Sequence, residues 1–345
     1  MALRLSMAFT GNPRVQPLKD GTVKPENIDL DSVIVDAGAL FFRNLKYDEF
    51  DAFEMSIAET LLALERSDGL RWDWSALPVF LSRDHVWPTL YVNSAWGIEH
   101  LGDLKGKRIG VPDYDMTAAL WFRATLKDLY GIEARDNVWY NGRTRELSHG
   151  GALGLDDAGP MGVTHYWLTP DQTLDVMLDQ GEIDSCTAIR PGGRVTAGDP
   201  TIIDRYGGTL VEGNPRIRKL LPDNGQGVVY EYYQKTGFFH CNHHVIVQNR
   251  VLREHPWVAR ELYQAFQRSK EVAYERARRQ QSAYLYFAGR DFQEQAAALG
   301  EDPFPIGIRA MGENVERAIQ ASIEQGLLRK PLRLEDIYFR TTLDT

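Results

Sequence analysis

Residues 103–131, DLKGKRIGVPDYDMTAALWFRATLKDLYG, hold a whole strand–helix unit in one phrase, and this narrows the available folds most. LKGK is a turn, RIGV a short apolar strand, and Pro112 stops it; a helical run follows, with Gly131 just past its end. The grammar recurs at 169–189. Thr169 is the expected cap, Pro170 the first helical residue and Gln172 follows three on, before Gly181 and the strand IDSCTAI. Upstream, ALRLSMAF alternates Leu3, Leu5, Met7 and Phe9, which predicts a strand with one buried face. SVIVDA (32–37) is a second strand candidate, and Ser56 with Glu59 has the spacing of a capping box, so a helix is expected to begin near Ser56. Alternating strands and helices predict α/β layers. Residues 133–165 and 191–229 lack a clear period and read as loops lining or covering a site. After Pro256, Val258, Leu262, Phe266, Ser269 and Ala273 share one helical face, and the C-terminal third reads as largely helical.

A chain of 345 residues accommodates two domains or one large α/β unit. Its net charge of −9 argues against nucleic acid or an anionic membrane as a general partner, while leaving room for local arginines in a closed cleft. Two cysteines, Cys186 and Cys241, cannot build a disulfide framework. No signal peptide and no long apolar run is read, so a cytoplasmic location is expected.

Several phrases gain specificity together: EFDAFEMS (49–56), LPVFLSR (77–83), DLKGKRIGVPDYDMTAALW (103–121), GEIDSCTAIRP (181–191), TGFFHCNHHVIV (236–247), HPWVARELYQAF (255–266) and EQGLLRKPL (324–332). In this order the chain resembles the 4,5-dihydroxyphthalate decarboxylase family over nearly its whole length. The resemblance implies a two-lobed type II periplasmic-binding-protein-like fold, with two crossover strands and a cleft between the lobes. The first crossover is expected near 89–94 and the second near 243–247. Lobe one would be 1–95 plus 245–345, and lobe two 96–244. A carboxy-lyase activity on a hydroxylated aromatic acid is implied, with no organic cofactor and a small aromatic carboxylate as partner. Homo-oligomer formation stays open. A non-catalytic binder of aromatic carboxylates, or another lyase or hydrolase on the same scaffold, are the alternatives.

Such chemistry needs an acid and a base for protons and anchors for carboxylates. Arg14, Arg83 and Arg190 each follow an expected strand, where cleft ligands bind in open α/β sheets, and arginine grips a carboxylate by a two-point fork. Ser56 and Thr117 stand near helix starts, whose free N–H groups attract carboxylates. His243 matches the family's histidine and is the expected acid or base, with His85 a further cleft candidate and Glu54 a residue that orients the base or binds a ring hydroxyl. His240, His243 and His244 crowd within five positions. A divalent metal ion held by His240, His243 and His85 is therefore the alternative to a metal-free site, although H-x-x-H on a strand makes the two side chains diverge. The chain departs from the family pattern at 84–89, at His240, where proline is expected, and at Met311 and Gly312, where Asn and Arg are expected. Trp87 and His85 are expected to make the pocket wall more aromatic.

Overall fold

A computed structural model describes residues 2–83, 85–155, 159–187, 210–284, 287 and 289–345. The chain first lays down four strands of one sheet, β1 (Leu3–Phe9), β2 (Ile28–Ile34), β3 (Ala52–Ser56) and β4 (Trp74–Ser82). It crosses to a second sheet with β5 (Tyr91–Asn93), β6 (Arg108–Val111), β7 (Val138–Asn141), β8 (Thr164–Trp167), β9 (Ser185–Cys186) and β10 (Ile217–Lys219), and returns with β11 (His243–Gln248). The first sheet runs β2-β1-β3-β11-β4 and the second β10-β5-β9-β6-β7-β8. β1, β2 and β3 are parallel, whereas β11 runs antiparallel between β3 and β4.

Each strand's sequence explains its place. In β1 the alternating Leu5, Met7 and Phe9 are buried, a set contributing about 1.5–3 kcal/mol for each side chain. β11 is central and covered on both faces, so Val245, Ile246 and Val247 are all fully buried in an unbroken apolar run. β2 starts four residues before the expected SVIVDA, because Asp29 and Asp31 alternate with Ile28 and Leu30 and mask the strand; as the edge strand it leaves Val33 and Ile34 exposed.

The unit at 103–131 forms as read: β6 enters a helix at Thr117–Tyr130, and Gly131 closes it at φ +68. The helix expected from Thr169 begins later, at Leu174, with Thr173 as its cap residue. Thr169 and Gln172 instead close a turn on each other, the Thr169 amide donating to Gln172 Oε1 (3.0 Å). The stretches read as loops contain β7, β10, a short helix at His149–Ala152 and the starts of β8 and of a longer helix at Gln226–Thr236. Strand membership also refines the lobe limits. Tyr91–Asn93 pair with β9 and β10 in the second sheet, and His243 and His244 lie in the first.

The C-terminal helices join the lobes. The helix Trp257–Tyr284 buries Val258, Leu262 and Phe266 against the first sheet, and Ser269 and Ala273 are buried too. The helix Ile308–Glu324 packs on helices of both lobes, Ile57–Arg66 and Thr117–Tyr130. Polar ties fix it there: Arg317 pairs with Asp128 (2.8 Å), and Arg123 Nε donates to Gln325 Oε1 (2.6 Å) just beyond its end. Trp87 is not a pocket wall. It is fully buried against Phe122, and its side chain occupies the space where a Cβ on Gly225 (φ +83) would fall. No helix among the described residues is long and apolar enough to cross a membrane.

Candidate active site

The ends of β1, β3 and β4 and the start of β11 meet along one edge of the first sheet. Antiparallel pairing sets His243 opposite Ser56 on β3 and Ser82 on β4, and Val245 opposite Glu54. Side chains two apart on a strand share a face, so Glu54 and His243 are diagonal neighbours. His243 Nδ1 lies 2.7 Å from Glu54 Oε1. The other carboxylate oxygen of Glu54 accepts from the Thr10 amide (2.7 Å) and the Thr10 hydroxyl (2.8 Å). Burial pushes the fully enclosed Glu54 carboxyl up. The hydrogen bond and charge of His243, together with Thr10, outweigh that and hold it below the usual carboxylate value. An ionised Glu54 accepts the proton on Nδ1 and so fixes the tautomer. Nε2 then has no hydrogen-bond partner among the described residues. The His243 side chain is 15% exposed, and the edge of Phe41 packs on its ring at 4.8 Å.

Two helix N-termini face each other beside this pair. Ser56 caps the helix Ile57–Arg66, accepting from the Glu59 amide (3.4 Å), and its hydroxyl meets that of Thr117 at 2.8 Å. Thr117, the first residue of the opposite lobe's helix, also accepts from the Ala58 amide (3.0 Å). The expected capping box is half made, because the Glu59 carboxyl turns instead to His149, with Oε1 2.9 Å from Nδ1. This second Glu–His pair went unread in the sequence. SHGGA looked like loop, and Ser148 is its one legible signal: it caps the short helix by accepting from Gly151. Behind the pair, Asp113 accepts from Arg143 (2.7 Å), the His149 amide (3.0 Å), Ser148 and Asn141. Asp115 is buried close by, and its carboxyl is pushed well up by burial and by the charges of Asp113 and Glu59.

Arg83 and Arg14 both stand at the end of β4. Arg83 leaves β4 buried, its NH2 on Met311 Sδ (3.2 Å), its guanidinium 4.2 Å from the Phe239 ring centre and 5.6 Å from that of Phe304. Its Nε and NH1 have no hydrogen-bond partner among the described residues. Arg14 donates to the Leu81 carbonyl (2.6 Å), stacks on Phe304 (3.8 Å) and borders a cavity of about 340 Å³ with Tyr274 and Phe292. Arg190 lies outside the described residues.

His240 does not join His243. His240 precedes the strand, stacks on Trp121 (5.4 Å) and bonds Thr125 Oγ1 through Nε2 (3.1 Å), with His85 and Arg83 near enough for their charge to act on it. His244 points to the opposite face, between Thr60 Oγ1 (2.9 Å) and the Tyr338 hydroxyl (3.2 Å). The Thr125 contact holds His240 before the strand that carries His243, and no group of three or more His, Cys, Asp or Glu among the described residues is placed to hold a metal ion.

Burial drives His240 and His244 each down to about 3, with the charges of His85 and Arg83 adding for the first and of His243 for the second. Both are neutral in the fold but take up protons when unfolded below about pH 6.5. Unfolding therefore binds protons, and stability falls as pH drops from about 6.5 towards 3, by roughly 1.4 kcal/mol per pH unit for each histidine. The expected result is a urea midpoint that declines from pH 6.5 to 5 and flattens over that range in a His240→Gln/His244→Gln variant. An equal decline in both proteins would assign the acid sensitivity elsewhere.

No family model matches the chain. It is 28% identical over 345 residues to the 4,5-dihydroxyphthalate decarboxylase of Comamonas testosteroni, an alignment covering 99% of this chain and 98% of the relative. It is 32% identical over 204 residues to the 4,5-dihydroxyphthalate decarboxylase of Pseudomonas putida, covering 59% of this chain and 77% of the relative. In structure it resembles the periplasmic aliphatic sulphonate binding protein SsuA of Escherichia coli, with a TM-score of 0.53 and 12% identity over 100% of both chains. That likeness shows a periplasmic-binding-protein fold, in agreement with the sheet order found here. On the relatives' identity and coverage, the chain belongs to the 4,5-dihydroxyphthalate decarboxylase family.

Proposed function

We propose that this chain decarboxylates a hydroxylated benzene carboxylate, with 4,5-dihydroxyphthalate the substrate its relatives support and protocatechuate and CO2 the products. The observation that carries the reading is the buried Glu54 carboxylate holding Nδ1 of a partly exposed His243 at the sheet edge. Ionising the ring hydroxyl para to a carboxylate pushes electrons to the carbon that bears it. That carbon takes a proton to give a dienone, and the electrons of the breaking C–C bond restore the aromatic ring as CO2 leaves. One proton is consumed overall. His243 Nε2 is the group that hands it to carbon, and the Glu54 carboxylate stabilises the imidazolium that supplies it. This route draws on acid–base groups and anchors and calls for no organic cofactor.

Anchoring follows from charge. Arg83, supported by Arg14, would take one carboxylate, and the paired helix starts at Ser56 and Thr117 would take the other. His85 acts in this reading through His240 and Arg83 rather than on the ring. The fold itself favours a second reading, a binding protein for an aromatic carboxylate. Incubation with 4,5-dihydroxyphthalate separates the two. The expected outcome is CO2 and protocatechuate in equal amounts, whereas saturable binding without CO2 would leave the binding protein.

A further inference from the structure

The second Glu–His pair joins the lobes at a point where chemistry fixes the proton count. His149 starts a short helix of the second lobe, and its side chain, 2% exposed, enters the first lobe beside Phe41 (6.0 Å) and Phe42 (6.3 Å). There Nε2 lies 2.9 Å from the Gly38 carbonyl and Nδ1 2.9 Å from Glu59 Oε1. A carbonyl only accepts, so Nε2 must carry hydrogen. Nδ1 and Oε1 therefore share one proton, either as imidazolium with carboxylate or as a carboxylic acid donating to neutral imidazole. Remove that proton and two lone pairs face each other between buried side chains.

We propose that the Glu59–His149 pair is a proton-dependent latch that holds the two lobes closed over the Glu54–His243 dyad, which makes Glu59 and His149 positioning residues for the reaction. The assignment rests on the proposed reading only in taking this cleft as the reaction site. The surroundings favour retention of the proton. Burial and the Asp113 carboxylate push the Glu59 carboxyl up to about 8, against the pull of Arg143, His243 and Ser56. Asp115 adds a second buried carboxyl, drawn down by Arg143 and acting in turn on Arg66. Glu59 Oε2 and Asp115 Oδ2 have no hydrogen-bond partner among the described residues. The contrast with Glu54 is physical: that carboxylate collects three donors and stays ionised, while Glu59 leaves Oε2 unpaired among the described residues and has acidic neighbours. Because the Glu59 value is raised above that of an exposed carboxyl, the latch is present below it and lost as pH rises through it.

Small-angle scattering of the ligand-free protein at pH 6.5 and 9.5 tests the latch without needing turnover. Wild type should expand at the higher pH and lose amide protection over residues 149–152, corrected for intrinsic exchange. Glu59→Gln should stay compact at both values, since its amide N–H donates to Nδ1 of the neutral imidazole with no proton to lose. His149→Ala should be expanded at both. With 4,5-dihydroxyphthalate, wild-type kcat/KM should fall about tenfold per pH unit above the midpoint, and that limb should move or vanish in Glu59→Gln. An unchanged wild-type radius between the two pH values overturns the latch, as does a Glu59→Gln protein that opens with the wild-type midpoint. Should Glu59→Gln fail to fold, the wild-type titration decides alone. If the scattering behaves as expected and no CO2 forms, the latch stands and the decarboxylase reading fails.

Discussion

His243→Ala is expected to lower kcat for CO2 release by about 10²–10⁴-fold while leaving a folded protein. The magnitude is that of losing a positioned proton donor, the role proposed for His243 with Glu54 holding its far nitrogen at 2.7 Å. The fold should survive, because the His243 side chain is partly exposed and its strand is held by the buried Val245, Ile246 and Val247. The buried Glu54 carboxylate is the one group left without its partner, and it keeps both Thr10 donors. Glu54→Gln should cost nearly as much by another route. Its single oxygen must stay with the two Thr10 donors, which turns the amide N–H toward Nδ1. The imidazole then carries its hydrogen on Nε2 and loses the carboxylate that stabilised its charged form. Steady-state kcat for both variants, with melting temperatures alongside, checks the pair. Full kcat in His243→Ala would remove the histidine from the chemistry.

The contrast between the two Glu–His pairs shows what the sequence could reveal. Strand β11 was legible, because VIV with flanking histidines is a buried run meeting a polar end. Glu54 and His243 were each nameable, but 189 residues separate them, and only the β3–β11 register makes them neighbours. Glu59 was visible as the last residue of a capping box, a local reading that its long-range bond to His149 overrides. His149 itself was hidden in a glycine-rich stretch, since a four-residue helix has no period to detect. β7, β8 and β10 span only 4, 4 and 3 residues, and they exist because neighbouring strands pair with them. By contrast, the unit at 103–131 carried its own stop, its own helix and its own αL glycine, and it formed as read. Local signals were legible where they coincided with the tertiary contacts; the cleft, built from residues of both lobes, was legible only in part.

Arg83→Met is expected to raise the stability of the ligand-free protein and to weaken binding of a phthalate dianion by about 10²-fold or more. Both effects have one cause. Burial moves the Arg83 guanidinium down from 12.5 to about 10, opposed by Cys241 and Asp302 and reinforced by Arg14. The native state thus disfavours the charge that the unfolded chain carries freely, at about 1.4 kcal/mol per unit, or roughly 3 kcal/mol. A thioether sulfur and two ring faces are weak compensation, and two of its nitrogens are unsatisfied among the described residues. A bound carboxylate would supply the countercharge and an acceptor for a nitrogen that the fold leaves unsatisfied. Methionine fills the apolar space beside Met311 and Phe239 without the charge, so the cost disappears together with the anion contact. Thermal unfolding with and without phthalate, paired with calorimetric titration, reads both quantities. Wild type should show the lower unliganded melting temperature and the larger ligand shift. A variant that loses stability and binds phthalate as wild type does would make Arg83 a structural residue, and the carboxylate would then have to be held by the helix starts at Ser56 and Thr117.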